Sequence, residues 1–158
     1  MDTTRTTPAP ATAAHRAPAW ACRAAFALVF VVNVHCALSF VIDPAPYAAG
    51  FELASAGLPG QVAVRGMGIA FLMWNCTYPL VIWQPGRHRV LAGVVLAQQA
   101  VGLAGETAIY LGLPAGHAAL AASIGRFIAF DGFGLVVMAV TLAWLLLAER
   151  RQGAHDEC

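Results

Sequence analysis

The sequence has no lysine. All nine basic residues among its 158 positions are arginine, and eight acids leave a formal net charge of +1. Charged residues make up only 11% of the chain, less than half of the quarter usual in a soluble domain. That scarcity removes the basic face a nucleic-acid binder needs. The cysteines Cys22, Cys36, Cys76 and Cys158 form no CxxC pair, and the five histidines form neither an HExxH motif nor a close pair. Zinc binding, quinone-coupled thiol chemistry and haem ligation therefore lack their residue patterns, and we expect no metal and no cofactor. What the chain has in abundance is apolar: 59% of it is hydrophobic, with a mean hydropathy of +0.69. Disorder throughout is excluded, and an integral membrane protein of a single domain is left.

Spanning a hydrocarbon layer takes about 20 mostly apolar residues. Four stretches meet that length: 24–42, with no formal charge; 62–83, containing only Arg65; 90–113, containing only Glu106; and 127–148, containing only Asp131. Backbone groups in lipid must be satisfied within their own segment, so each span is predicted to be helical and the fold an all-α, four-helix transmembrane bundle over residues 21–148. Residues 43–61 hold Pro44, Pro46, Gly50, Gly57, Pro59 and Gly60, turn residues that bracket a short interfacial helix around 47–56. Pro85 and Gly86 build a tight turn in WQPGRHR. Residues 114–126 read either as a loop or as an early start of the fourth helix near Gly116. The Thr/Ala/Pro-rich residues 1–20 read as a disordered tail, with a cleaved signal peptide or an organellar transit peptide as competing readings, and 149–158 as a second tail.

Arginine placement sets the orientation. Arg5, Arg16 and Arg23 precede the first span, Arg87 and Arg89 sit in the second connection, and Arg150 and Arg151 follow the fourth span. The positive-inside rule then places both termini in the cytoplasm of a cell-membrane protein. Trp20, Trp83 and Trp144 fall near the same boundary, where an aromatic belt would put them.

Depth follows at about 1.5 Å per helical residue. Counted from the outer boundary, Arg65 and Asp131 lie about 5–6 Å down, Glu106 and His35 about 10 Å, and Arg126 at the surface. Every ionisable group of the spans therefore falls in one outer slab, where two arginines balance two acids. An uncompensated charge at depth costs at least ~2.5–3.5 kcal/mol, so these groups are expected to face inward and to pair. They read equally as ion pairs that lock the bundle and as the lining of an outward-opening pocket. A deeper layer of amides, Asn33, Asn75, Gln98 and Gln99, reads first as interhelical hydrogen bonds. Cys36 and Cys76 differ in depth by about 12 Å, too far for a disulfide.

Local spacing adds detail. Gln99 and Glu106 are two turns apart on one helical face with Gly102 between them, and Gly102 and Gly105 are expected to admit a neighbouring helix. Arg65-Gly66-Met67-Gly68 opens the second span; with no strand before it and no GK[ST] after it, its glycines read as a packing face and not as a phosphate loop. Pro79 should kink that span near Asn75 and free a carbonyl for a polar neighbour. The Arg65-Gly66-x-Gly68 opening and the short basic turn from Pro85 to Arg89 give a layout that resembles small four-helix membrane proteins of the DoxX-like group. That resemblance implies the four-helix bundle and no defined activity. Glu106, Asp131 and Arg126 do not match the group's pattern.

Three functions are compatible with this reading. In the first, an outward-facing, charge-balanced pocket binds a small molecule or lipid in a binding or transport-related role, with Arg65, Arg126, His35, Asn75 and Gln99 as binding residues, the two arginines attracting an anionic group and Glu106 or Asp131 serving as proton-sensitive partners. Four helices are few for a transporter, so transport would call for a homo-oligomer. In the second, a membrane-embedded enzyme uses Glu106 and Asp131 as catalytic acid and base on a lipid-soluble substrate. In the third, the chain is a structural subunit whose polar groups fix helix pairing.

Overall fold

The computed structural model describes residues 13–156. It is an all-α bundle. The first span is α1 (Ala13–Ile42), followed by a short helix α2 (Ala45–Gly50) and a single 3-10 turn (Ala54–Ala56). The second span is divided into α3 (Leu58–Asn75) and α4 (Tyr78–Trp83); α5 (Arg89–Gly112) and α6 (Ala118–Asp156) form the third and fourth. Four stretches are long and apolar enough to cross a membrane: Arg16–Ile42, Leu58–Trp83, Arg89–Gly112 and Ala118–Gln152. The fold is inside out by the standard of a soluble protein. Leu28, Val31, Ile69, Met73, Val101, Val136, Val140 and Leu147 are all more than half exposed, as side chains that face lipid are.

Two expectations need correction at the ends. Residues 13–20 are helical and extend α1, so only 1–12 of the expected tail lie outside the described residues. At the other end α6 runs on to Asp156, because the strong helix formers Leu145, Leu146, Leu147 and Ala148 lead into it and Arg89 holds Glu149 in an ion pair of 2.6 Å. Residues 149–156 are thus part of a helix and not a separate tail.

Proline decides the breaks. Pro44 stops α1, and Pro46 sits in the first turn of α2, where its missing N–H is no loss. The second span breaks after Asn75 because Pro79 has no N–H for the carbonyl four residues before it. The surrounding polar side chains take up neighbouring carbonyls: Asn75 Nδ2 donates to Phe71 O (2.7 Å), Cys76 Sγ to Leu72 O (3.4 Å) and Thr77 Oγ1 to Trp74 O (3.2 Å). The kink read from the sequence is there, and the segment WNCTYP supplies its own partners.

α1 is the central helix, packed against α3 and α4 on one side and α6 on the other; α5 packs on α6 and, more lightly, on α4. There is no comparable packed interface between α3 and α5, so the second and third spans diverge beyond the kink. This splits the bundle into two halves. Around Phe26, Val29, Tyr78, Val81, Val95, Met138 and Leu145 it is solidly filled. Beyond the kink, Phe40 gathers Tyr47, Phe51, Phe71 and Phe127 around itself, with ring centroids 4.6–6.2 Å apart. Those rings wall a cavity instead of filling it.

Candidate functional site

The cavity has a volume of about 600 Å³, within the usual range for small-molecule sites. Its walls are Phe51, Phe71, Trp74, Phe127 and Phe130, its floor is Asn33, Asn75 and Gln99, and Glu106 and Asp131 stand on one side. Tyr47 and Gly50 of α2 cover it, and Arg126 lies at its rim.

The floor is a chain of hydrogen bonds across three helices. Buried Tyr78 on α4 donates its hydroxyl to Gln99 Oε1 (3.3 Å), and Gln99 Nε2 on α5 donates to Asp131 Oδ1 on α6 (2.8 Å). The Glu106 and Asp131 carboxyls are within hydrogen-bonding reach of each other. A hydrogen bond between two carboxyl groups needs at least one proton between them. Gly102 makes the arrangement fit, since a Cβ there would stand 3.2 Å from Asp131 Oδ2 and 3.7 Å from the Trp74 ring. Two acceptors in this region are buried without a partner: Asn75 Oδ1 and Glu106 Oε2.

The expected slab of balanced ion pairs is not what forms. Among the described residues, neither Glu106 nor Asp131 pairs with an arginine. Arg126 instead reaches Ser123 Oγ (3.4 Å) from the rim. Arg65 is exposed on α3, and His35 is exposed on α1; neither lines the cavity. The reason is azimuth. Residue counting gives depth, but Arg65 is six residues from the cavity-lining Phe71 and so about 120° away around the helix. Of the binding candidates, Asn75, Gln99 and Arg126 reach the cavity together with Glu106 and Asp131, and Arg65 and His35 do not.

Gln99 does serve as the interhelical bridge its depth suggested, whereas Asn75 bonds its own helix and leaves its carbonyl oxygen over. Gly102 faces Asp131 and Trp74 side chains and not a helix backbone, and Gly105 meets nothing within 4 Å. Tyr78, Ser123 and the aromatic walls were not singled out from the sequence. Tyr78 carried a signal, being a hydroxyl in an apolar run beside a helix-breaking proline.

The cover is tied down at two points. Ser123 Oγ donates to Gly50 O (2.9 Å), joining α6 to the end of α2. Glu52, which adopts a left-handed φ of 59°, accepts from His117 Nδ1 (2.6 Å) and from Leu120 N (3.3 Å) in the first turn of α6. The His117 bond, then the Leu120 N–H, hold the Glu52 carboxyl below the ordinary glutamate value of 4.5. A carboxyl lowered on folding contributes above that ordinary value and loses its contribution as pH falls through the lowered one. Acidification below about 4.5 should therefore loosen this tie, as should Glu52→Ala at neutral pH. Hydrogen exchange reads the result: the Leu120 amide should exchange faster in both cases, and unchanged exchange would show the tie to be idle.

Comparison of the chain with protein families, with curated proteins and with solved structures finds no match.

Proposed function

We propose that the protein binds a small amphipathic molecule or lipid in this cavity, in a binding or transport-related role. One observation carries the reading: an open volume of about 600 Å³ whose floor keeps buried, partnerless acceptors. A bundle whose polar groups served only to pair helices would have closed around them, since interiors normally pack without such voids. The test is mass spectrometry of detergent-purified protein. A stoichiometric small molecule or lipid should be retained by the parent and lost from Gly102→Phe, whose ring would fill the space beside Trp74 and Asp131. Retention unchanged by that substitution places the molecule elsewhere and overturns the reading.

A second reading is favoured by the contact between the two carboxyls. An acid and a base sharing one proton can pass it to a bound substrate, which makes Glu106 and Asp131 an acid/base pair in a membrane-embedded enzyme. Conversion of the retained molecule by the parent, and not by Asp131→Asn, would separate catalysis from binding.

The cavity also faces outward in this proposal, with both termini in the cytoplasm of a cell-membrane protein. Arg16, Arg23, Arg87, Arg89, Arg150 and Arg151 lie at the end opposite α2, together with the exposed rings of Trp20, Trp83 and Trp144. In a background with the four native cysteines replaced by alanine, Ser55→Cys should label from outside intact cells and Arg87→Cys should not. The reverse pattern would turn the cavity to the cytoplasm.

A further inference from the structure

The chemistry of the cavity floor says more about the occupant than its volume does. Gln99 has its amide engaged at both ends, and Tyr78 has spent its hydroxyl proton on Gln99. Asn75, only 4% exposed, has spent its amide N–H on Phe71 O, and only a nitrogen can donate to that carbonyl, so the oxygen left over is Oδ1. Glu106 Oε2 is the second acceptor left over. The buried side-chain atoms left without a partner at the cavity are therefore both acceptors. A ligand group that satisfies them must bring N–H or O–H bonds of its own.

Charge narrows the choice. With one proton between them, the minimum that their contact requires, the two carboxyls carry one negative charge. Among the described residues no arginine pairs with either, and the cationic Arg126 is turned to Ser123 at the rim. A buried charge of this kind calls for a counter-charge. Above it stand Phe71, Trp74, Phe127 and Phe130, whose ring faces attract cations and cover alkyl or aryl groups.

We infer that the cavity selects a lipophilic amine in its protonated form, whose ammonium N–H groups donate to Asn75 Oδ1 and Glu106 Oε2 while its apolar body lies against the aromatic wall. This rests on the binding reading above and names the class of ligand. It also reverses the expectation, drawn from Arg65 and Arg126, of an anionic group. The charges balance without any proton transfer, because a singly positive ammonium meets a singly negative acid pair.

Three compounds with one body and different heads test it: 4-phenylbutylamine, 4-phenylbutan-1-ol and 4-phenylbutyrate. Trp74 is the reporter, in full-length protein carrying Trp20→Phe, Trp83→Phe and Trp144→Phe, since those three rings are exposed away from the cavity. The amine should change Trp74 fluorescence saturably. The alcohol should bind about tenfold or more weakly, and the carboxylate not at all, the difference being that of a charge-assisted hydrogen bond. Glu106→Gln combined with Asp131→Asn, which removes the charge of the pair, should lower amine affinity by about 10- to 100-fold and leave the alcohol unchanged. Asn75→Leu provides the second variant, with a smaller loss for both donors, so the test stands even where one substitution prevents folding. An alcohol or carboxylate that binds as tightly as the amine overturns the choice of ligand and leaves the cavity a binding site. Absence of any binding by all three, with no molecule retained on purification, overturns the binding reading itself.

Discussion

Replacing Asp131 with leucine should destabilise the bundle by about 2–4 kcal/mol, whereas Glu106→Gln should melt like the parent or slightly above it. Leucine excludes water from the floor and strands two buried groups, Gln99 Nε2 and the Glu106 carboxyl, each at about 1–3 kcal/mol. The average interhelical hydrogen bond in a membrane, roughly 0.6 kcal/mol, is the wrong magnitude here, because it compares a made bond with one remade elsewhere. Glutamine at position 106 behaves differently. Its amide donates to Asp131 without needing the shared proton, so the contact survives with a neutral donor. Unfolding in mixed micelles, followed by circular dichroism, reads both variants. A marked fall for Glu106→Gln, restored by a matching arginine change, would mean that a cation pairs with Glu106 after all and would remove the acid pair from the site.

Two glycines in one short motif should part company just as sharply. Gly68→Ala should cost about 1–3 kcal/mol, and Gly66→Ala should be neutral or stabilising by up to about 1 kcal/mol. A Cβ on Gly68 would stand 2.7 Å from the Ala37 carbonyl oxygen and 2.9 Å from Phe40 Cβ, so α1 and α3 would have to separate. Backbone cannot swing aside as a flexible side chain can. A Cβ on Gly66 meets nothing within 4 Å and only removes a poor helix former. Because Phe40 anchors the rings that wall the cavity, Gly68→Ala should also lower ligand retention. Equal melting of the two variants would refute the close approach of these helices.

Hydropathy and proline by themselves determined the scaffold. Apolar runs about 20 residues long have no stable form in lipid except the helix, so the four spans and the all-α class follow from composition alone. Pro79 fixed the break after Asn75, since a missing N–H acts locally whatever the surroundings. The two-turn spacing of Gln99, Gly102 and Glu106 put them on one face, and that face lines the cavity. Height along a helix was legible for the same reason, because the rise per residue is constant.

What only the tertiary structure decided is direction. Arg65 and His35 share the height of the acids but point away from them, and no count along one helix reveals where its neighbour stands. Gly66 and Gly68 look alike until α1 lies against one of them, and Gly102 and Gly105 until Asp131 does. The acids were expected to meet arginines because opposite charges pair at depth. They meet each other because the third and fourth spans pack side by side, while Arg126, about 7 Å higher on its helix, turns to Ser123. The cavity itself arises because α3 and α5 diverge beyond the kink, a relation between two helices that neither one encodes alone.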